Sequence, residues 1–239
     1  VSGFPDIALG NVIGSNIANI LLILGISAVI MPLVVNIQSL RRDGLTMLCA
    51  TLLFMALASF GGLGRIEGVL MLAVLAAYLV WAYRTEREDS GSPEAQLHTA
   101  ESEEIEQVPM SIPMTLLATF GGLAMLILGA NRFLLGAVGL GEKLGVPEAV
   151  IGLTVVAVGT SLPELAVSIV AAIRKHADVA IGNVIGSNIF NILLILGVSS
   201  LITPLPLEGR LLNVDQFVML AAAVLLLLFL FFGLRLSRA

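Results

Sequence analysis

The apolar positions of this chain gather into long runs separated by short polar turns. Each run reaches the length needed to cross a bilayer, about 20 residues. Seven spans are predicted, at 8–30, 44–61, 66–83, 111–136, 148–173, 179–202 and 213–233. The pattern is interrupted within the fifth. There Gly159-Thr160-Ser161-Leu162-Pro163-Glu164 places hydroxyls, a proline and a carboxylate where apolar side chains are expected. Pro163 has no N–H to donate and its ring clashes with the carbonyl of Gly159, so an ordinary helix breaks there. Broken backbone at membrane depth survives only where protein or a water-filled cavity satisfies the freed groups. Glu164 is the sole acidic residue in the middle of an apolar run. A carboxylate at that depth is costly and marks a functional site.

The groups around the break are all oxygens. Freed carbonyls, the Thr160 and Ser161 hydroxyls and the Glu164 carboxylate form a set that hard cations such as Na⁺ and Ca²⁺ prefer. On the next span Asn183, Ser187 and Asn191 recur every four residues, a polar stripe on one helix face. Gly182 and Gly186 form a small-xxx-small pair that would admit a neighbouring backbone.

The same pattern occurs twice. With an offset of 172, 18 of the 22 positions from Asp6 to Ser27 are identical to those from Asp178 to Ser199, including Gly10-Asn11, Gly14-Ser15-Asn16, Asn19 and Gly25. Duplicated membrane units are characteristic of transporters built from structural repeats. The twins are spans one and six. Five crossings separate them, an odd number, so they traverse the membrane in opposite directions and the repeats are inverted. The offset carries Thr160 and Glu164 to positions before Val1, and it carries the span beginning at Ile66 to the end of the chain. A fragment of a symmetrical protein, truncated at both ends, is therefore expected.

Composition agrees with a polytopic all-α membrane protein: 58% of residues are hydrophobic, 12% are charged and the mean hydropathy is +1.03. The net charge of −5 is unevenly spread. Residues 85–108 hold eight acidic side chains against Arg87, a local −7, so the rest of the chain carries +2. That segment, with Ser90-Gly91-Ser92-Pro93, reads as a flexible acidic linker over 85–110 between two halves, 1–84 and 111–239. Eight of the twelve Lys and Arg side chains fall in loops on one side of the predicted topology and four on the other. The richer side, with the acidic linker, is placed in the cytoplasm. Tyr78, Trp81 and Tyr83 end the third span where an aromatic belt is expected. No basic patch with interleaved aromatics points to nucleic acid.

Gly159-Thr160-Ser161-Leu162-Pro163-Glu164 and the paired Gly-Asn-Val-Ile-Gly-Ser-Asn-Ile-x-Asn segments, beginning at Gly10 and Gly182, closely resemble the cation/Ca²⁺ antiporter superfamily. Bacterial and archaeal sodium/calcium exchangers are the nearest in kind. The resemblance covers essentially the whole chain and implies ten helices in two inverted halves, of which the seven spans would be helices three to nine. It implies Ca²⁺/Na⁺ exchange in a prokaryotic cytoplasmic membrane, with H⁺ as the alternative counter-ion and no cofactor. It also implies cation ligands at the Ala157 carbonyl, Thr160, Ser161, Glu164, Ser187 and Asn191, and at Ser15 and Asn19 in the first repeat. Several exchangers carry Asp where this chain has Asn191, so their ion stoichiometry and any K⁺ dependence do not carry over.

Other readings compete. Ser187, Asn188 and Asn191 are also suited to plain interhelical hydrogen bonding. Asn11 and Asn183, near span entrances, read as structural as readily as functional. Asp6 and Asp178 suit helix starts, Cys49 reads as a small packing residue, and His98 and His176 lie in loops. An intramembrane protease needs a Ser–His pair or two Asp at membrane depth, and no His or Asp occupies the centre of a span. A passive cation channel uses the same oxygens, but inverted repeats with a broken helix favour alternating access.

Overall fold

A peptide group in hydrocarbon has no water to bond, so a chain this apolar must satisfy its backbone within helices. The computed structural model describes residues 5–32, 37–59, 61–89, 111–145 and 157–231, and these are overwhelmingly helical. Helix α1 is continuous but not uniform: α-helical over Pro5–Ala18, π-helical over Asn19–Ile23 and α-helical again over Leu24–Ile30. Then follow α2 (Ile37–Ala58), α3 (Arg65–Asp89), α4 (Ile112–Lys143), the single turn α5 (Ala157–Thr160) and α6 (Leu162–Ile173). Helix α7 repeats the plan of α1, with an α-helical Ala177–Phe190, a π-helical Asn191–Leu196 and an α-helical Gly197–Ile202. Last comes α8, π-helical over Leu211–Asp215 and α-helical over Gln216–Phe231.

Among the described residues, five helices are long and apolar enough to cross a membrane: Ala8–Ile30, Arg65–Thr85, Ile112–Phe133, Ala177–Ile202 and Leu211–Phe229. Two of the seven expected spans differ. The one at 44–61 belongs to α2, whose 22 residues are long enough but begin with Gln38, Arg41, Arg42 and Asp43. The one at 148–173 is not a single helix. Its beginning lies outside the described residues, and the remainder divides at Ser161 into α5 and α6.

The twin helices meet where their sequences match. Asn19 Nδ2 donates to Asn188 Oδ1 at 3.0 Å, and Asn191 Nδ2 donates to Asn16 Oδ1 at 3.0 Å. Moving from Asn16 to Asn19 on α1 corresponds to moving from Asn191 back to Asn188 on α7. The helices therefore cross antiparallel, as inversion of the repeats requires. Their successors, α2 and α8, also related by the offset of 172, pack against each other, and α7 is held between α2, α3 and α6. Leu9, Ile13, Phe54, Met71, Ile181 and Ile185 fill the centre and are almost fully buried. Among the described residues, the main contacts of helix α4 are with α5 and α6. Leu117, Phe120 and Met125 on it stay exposed, as lipid-facing side chains do.

Close helix contact is made by glycines other than those expected. A Cβ on Gly68 of α3 would stand 2.3 Å from Ser200 Oγ and 2.7 Å from the Gly197 carbonyl of α7. Around Gly182 and Gly186 nothing among the described residues lies within 4 Å of the corresponding position. The small-xxx-small motif of α7 therefore makes no such close approach to a described helix. Gly62, at φ +114°, occupies a conformation that L side chains rarely adopt, and it lets Leu63 exchange two 2.8 Å backbone hydrogen bonds with Leu205. That pairing ties the α2–α3 turn to the α7–α8 turn. Cys49 is exposed on α2, not packed as expected.

At the other end of α3, Trp81 and Tyr83 are exposed, while Tyr78 donates from its hydroxyl to Asp43 Oδ1 at 3.1 Å. Asp43 also pairs with Arg42 at 2.6 Å. Helix α3 runs on to Asp89, past residue 85 where the acidic linker is expected to begin, and residues 90–110 lie outside the described set.

Candidate ion-binding site

The break in the fifth span has a definite backbone form. Ser161 sits at φ −91°, ψ 1°, and its N–H is shared between the carbonyls of Ala157 (3.2 Å) and Val158 (3.1 Å). Pro163 enters α6 in its first turn, where a missing N–H costs nothing. The interruption therefore falls at Ser161, two residues before the proline. The proline cannot supply the bond that Gly159 would otherwise receive, and the chain restarts a helix at Leu162.

This broken element lies against the first repeat. Ser15 Oγ is 2.9 Å from Thr160 Oγ1 and 3.4 Å from the Ala157 carbonyl oxygen. Thr160 Oγ1 also reaches Ala157 O at 3.1 Å and Asn11 Oδ1 at 3.0 Å. Three of the expected ligands, Ser15, Ala157 and Thr160, thus converge from α1 and α5, joined by Asn11. One turn on, α6 packs against the π-helical turn Asn19–Ile23. Asn183 Nδ2 secures α6 by donating to the Glu164 carbonyl oxygen (3.1 Å) and to Ser168 Oγ (3.0 Å).

Three oxygens in this region are buried with no hydrogen-bond partner among the described residues: Ser161 Oγ, Glu164 Oε2 and Asn19 Oδ1. An unsatisfied buried polar atom in a native fold calls for a physical reason. Here all three are hard oxygen donors on elements already in contact, and no cluster of three His, Cys, Asp or Glu occurs among the described residues. Hydroxyl, amide, carbonyl and carboxylate oxygens suit Na⁺ or Ca²⁺ and not a thiolate- or imidazole-seeking metal.

The remaining expected ligands stand apart. Asn191 uses its amide N–H₂ on Asn16, across the helix crossing. Ser187 is half-buried and makes no side-chain hydrogen bond among the described residues. The expected polar stripe of α7 is therefore divided: Asn183 serves α6, and Asn191, two turns further along the helix, serves α1. Asn11, Asn16 and Asn188 take larger parts than sequence reasoning assigned. The available signal was their identity in both copies of the repeat, since Asn11 matches Asn183 and Asn16 matches Asn188.

The family model described as sodium/calcium exchanger protein matches residues 1–84 and 114–239. The chain belongs to the sodium/calcium exchanger family. It is 34% identical to the sodium/calcium exchanger MaX1 of Methanosarcina acetivorans, over 97% of this chain and 75% of that protein. It is 33% identical to the inner membrane protein YrbG of Escherichia coli, over 92% of this chain and 67% of that one. A solved structure of the sodium-calcium exchanger NCX_Mj, soaked with Na⁺ and Ca²⁺, superposes with a TM-score of 0.76 at 35% identity, covering 98% of this chain and 71% of that one. This exchanger-family chain is thus an integral membrane protein with a transporter fold, and the family model leaves 85–113 unmatched.

Proposed function

We propose that this protein is a secondary antiporter that exchanges Ca²⁺ for Na⁺ by alternating access. The ions bind near the midplane to Glu164, Thr160, Ser161, the Ala157 carbonyl, Ser187, Asn191, Ser15 and Asn19. The observation that carries this reading is the convergence of the broken α5–α6 element on Ser15 beside three buried, unpartnered oxygens. Membership in an exchanger family and likeness to NCX_Mj support it. Overlapping oxygen sites let Na⁺ displace Ca²⁺ from the same cradle, and only an occupied site reorients. The halves 1–84 and 111–239 move against each other, joined by a cytoplasmic acidic linker over 85–110. The inner membrane is the proposed location, as for YrbG.

Reconstitution in liposomes tests the reading. Ca²⁺ uptake is expected to saturate, to require a counter-ion and to follow an imposed Na⁺ gradient. Uptake driven by an H⁺ gradient alone would replace Na⁺ by H⁺ as the counter-ion. Flux that neither saturates nor needs a counter-ion would mark a channel.

Asn191 sets the charge of the cradle. Asn191→Asp adds a full negative charge beside the ions and favours an additional monovalent cation, so Na⁺ should inhibit Ca²⁺ uptake at concentrations lower by a factor on the order of 10. The carboxylate also loses the bond donated to Asn16, so turnover should slow. Identical Na⁺ inhibition curves for both proteins would remove Asn191 from the ion site.

A further inference from the structure

At the crossing of α1 and α7 four asparagines form two hydrogen-bonded pairs, and each pair ends on a group that can only accept. Asn188 Nδ2 donates to the backbone carbonyl of Asn16 at 3.3 Å and to Met47 Sδ at 3.7 Å. A carbonyl and a thioether have no hydrogen to give. The Asn188 nitrogen must therefore face them, and its oxygen must face Asn19. Asn19 can meet that oxygen only with its own Nδ2, at 3.0 Å, which turns Asn19 Oδ1 away from Asn188. That oxygen is the buried, unpartnered one described above. The mate pair obeys the same logic. Asn16 Nδ2 faces Met219 Sδ at 3.6 Å, its Oδ1 accepts from Asn191 Nδ2 at 3.0 Å, and the Asn191 oxygen is released in turn. Met47 and Met219 are themselves separated by the repeat offset of 172.

An asparagine amide presents either an oxygen or an N–H₂ group, and rotation by half a turn exchanges them. Toward a cation only the oxygen binds; the N–H₂ repels. We infer that Asn188 and Asn16 are positioning residues that fix the amide orientation of Asn19 and Asn191, so that each presents its oxygen to the transported cation. This rests on the proposal that Asn19 and Asn191 face the ions. Both Asn16 and Asn188 are buried to within 1% of full exclusion and are sealed from water, which would otherwise stabilise either orientation. The π-helical turns beginning at Asn19 and Asn191 place these residues at equivalent points of the two repeats. Such turns are frequent at functional sites.

The test is a double-mutant cycle on the protein in liposomes, reading the KM for Ca²⁺ and the maximal rate separately, with thermal melting in detergent alongside. Asn19→Ala should raise the KM. Asn188→Leu, which never touches the ion, should raise it by about 10-fold or more, as loss of an outer partner of a metal ligand does. Added to Asn19→Ala, Asn188→Leu should raise it no further, because it acts through the amide already removed. Asn188→Gln, which keeps donor and acceptor, should recover part of the affinity. An unchanged KM in Asn19→Ala sinks the ligand assignment itself. If Asn19→Ala raises the KM but Asn188→Leu leaves it unchanged, or adds the same increment with and without Asn19, the positioning role is overturned. Should Asn188→Leu fail to fold, Asn16→Leu combined with Asn191→Ala reads the same relation in the mate pair.

Discussion

Glu164→Gln is expected to abolish Ca²⁺ uptake while leaving a folded protein in the membrane. The substitution conserves shape and exchanges one carboxylate oxygen for an amide nitrogen. What holds α6 in place is the Glu164 backbone carbonyl, bonded to Asn183 Nδ2, and that bond survives. What is lost is the negative charge, at a buried oxygen that no described protein group satisfies. A divalent ion leaving water needs charge compensation more than it needs oxygen count, because its desolvation is severe in a low-dielectric site. Loss of a mere outer partner of a metal ligand costs 10- to 100-fold. Removing the charged ligand should lower Ca²⁺ uptake by at least about 100-fold, with a melting temperature close to that of the unaltered protein. Near-normal uptake would end the assignment of Glu164 to the ion site.

Gly68→Val should prevent stable folding, an effect that no property of the ion site can cause. In a membrane, helices associate through close packing of small residues and not through hydrophobic transfer. At the α3–α7 contact a Cβ on Gly68 would approach Ser200 Oγ to 2.3 Å and the Gly197 carbonyl to 2.7 Å. Ser200 Oγ is engaged by donating to that same carbonyl at 2.9 Å, and a main-chain carbonyl cannot rotate out of the way. A Cβ on Gly197 would likewise come within 3.0 Å of Leu72 Cγ, so this contact is tight from both sides and the helices must separate. Overpacking of a core typically costs about 1–3 kcal/mol. A β-branched residue at this point adds two further methyl groups and should exceed that range. Gly25→Ala is the control. Gly25 is the repeat mate of Gly197, nothing described lies within 4 Å of its Cβ position, and helix propensity favours Ala there. The measurement is the melting temperature of both variants in detergent beside the original. A Gly68→Val protein as stable as the Gly25→Ala one would show that the close approach is not real.

Much of the molecule is legible in one dimension because the bilayer imposes a one-dimensional rule: runs of a given length and apolarity become spanning helices. The offset of 172 made the duplication and the inversion plain, and the antiparallel Asn16–Asn191 and Asn19–Asn188 pairs accord with it. The proline at position 163 announced a broken helix near Glu164. It did not announce the position of the break, because a proline is accommodated within a first turn and the interruption falls earlier, at Ser161.

Helix phase and neighbour identity lay beyond that reading. Spacing by four put Asn183, Ser187 and Asn191 on one face, but a stripe does not state which helix it meets, and α7 meets α6 and α1 at different heights. The same holds for the glycines, since Gly182 and Gly186 have the sequence form of a contact that Gly68 and Gly197 make. Composition, the repeat and the interrupted span were sufficient for the class, the symmetry and the neighbourhood of the site. These follow from solvation and chain length, which act on each residue locally. Which oxygens converge, and which amides are oriented to present them, depends on contacts between residues some 140 to 175 positions apart, such as Ser15 with Ala157 and Asn191 with Asn16. Only the packed tertiary structure brings those groups within reach of one another.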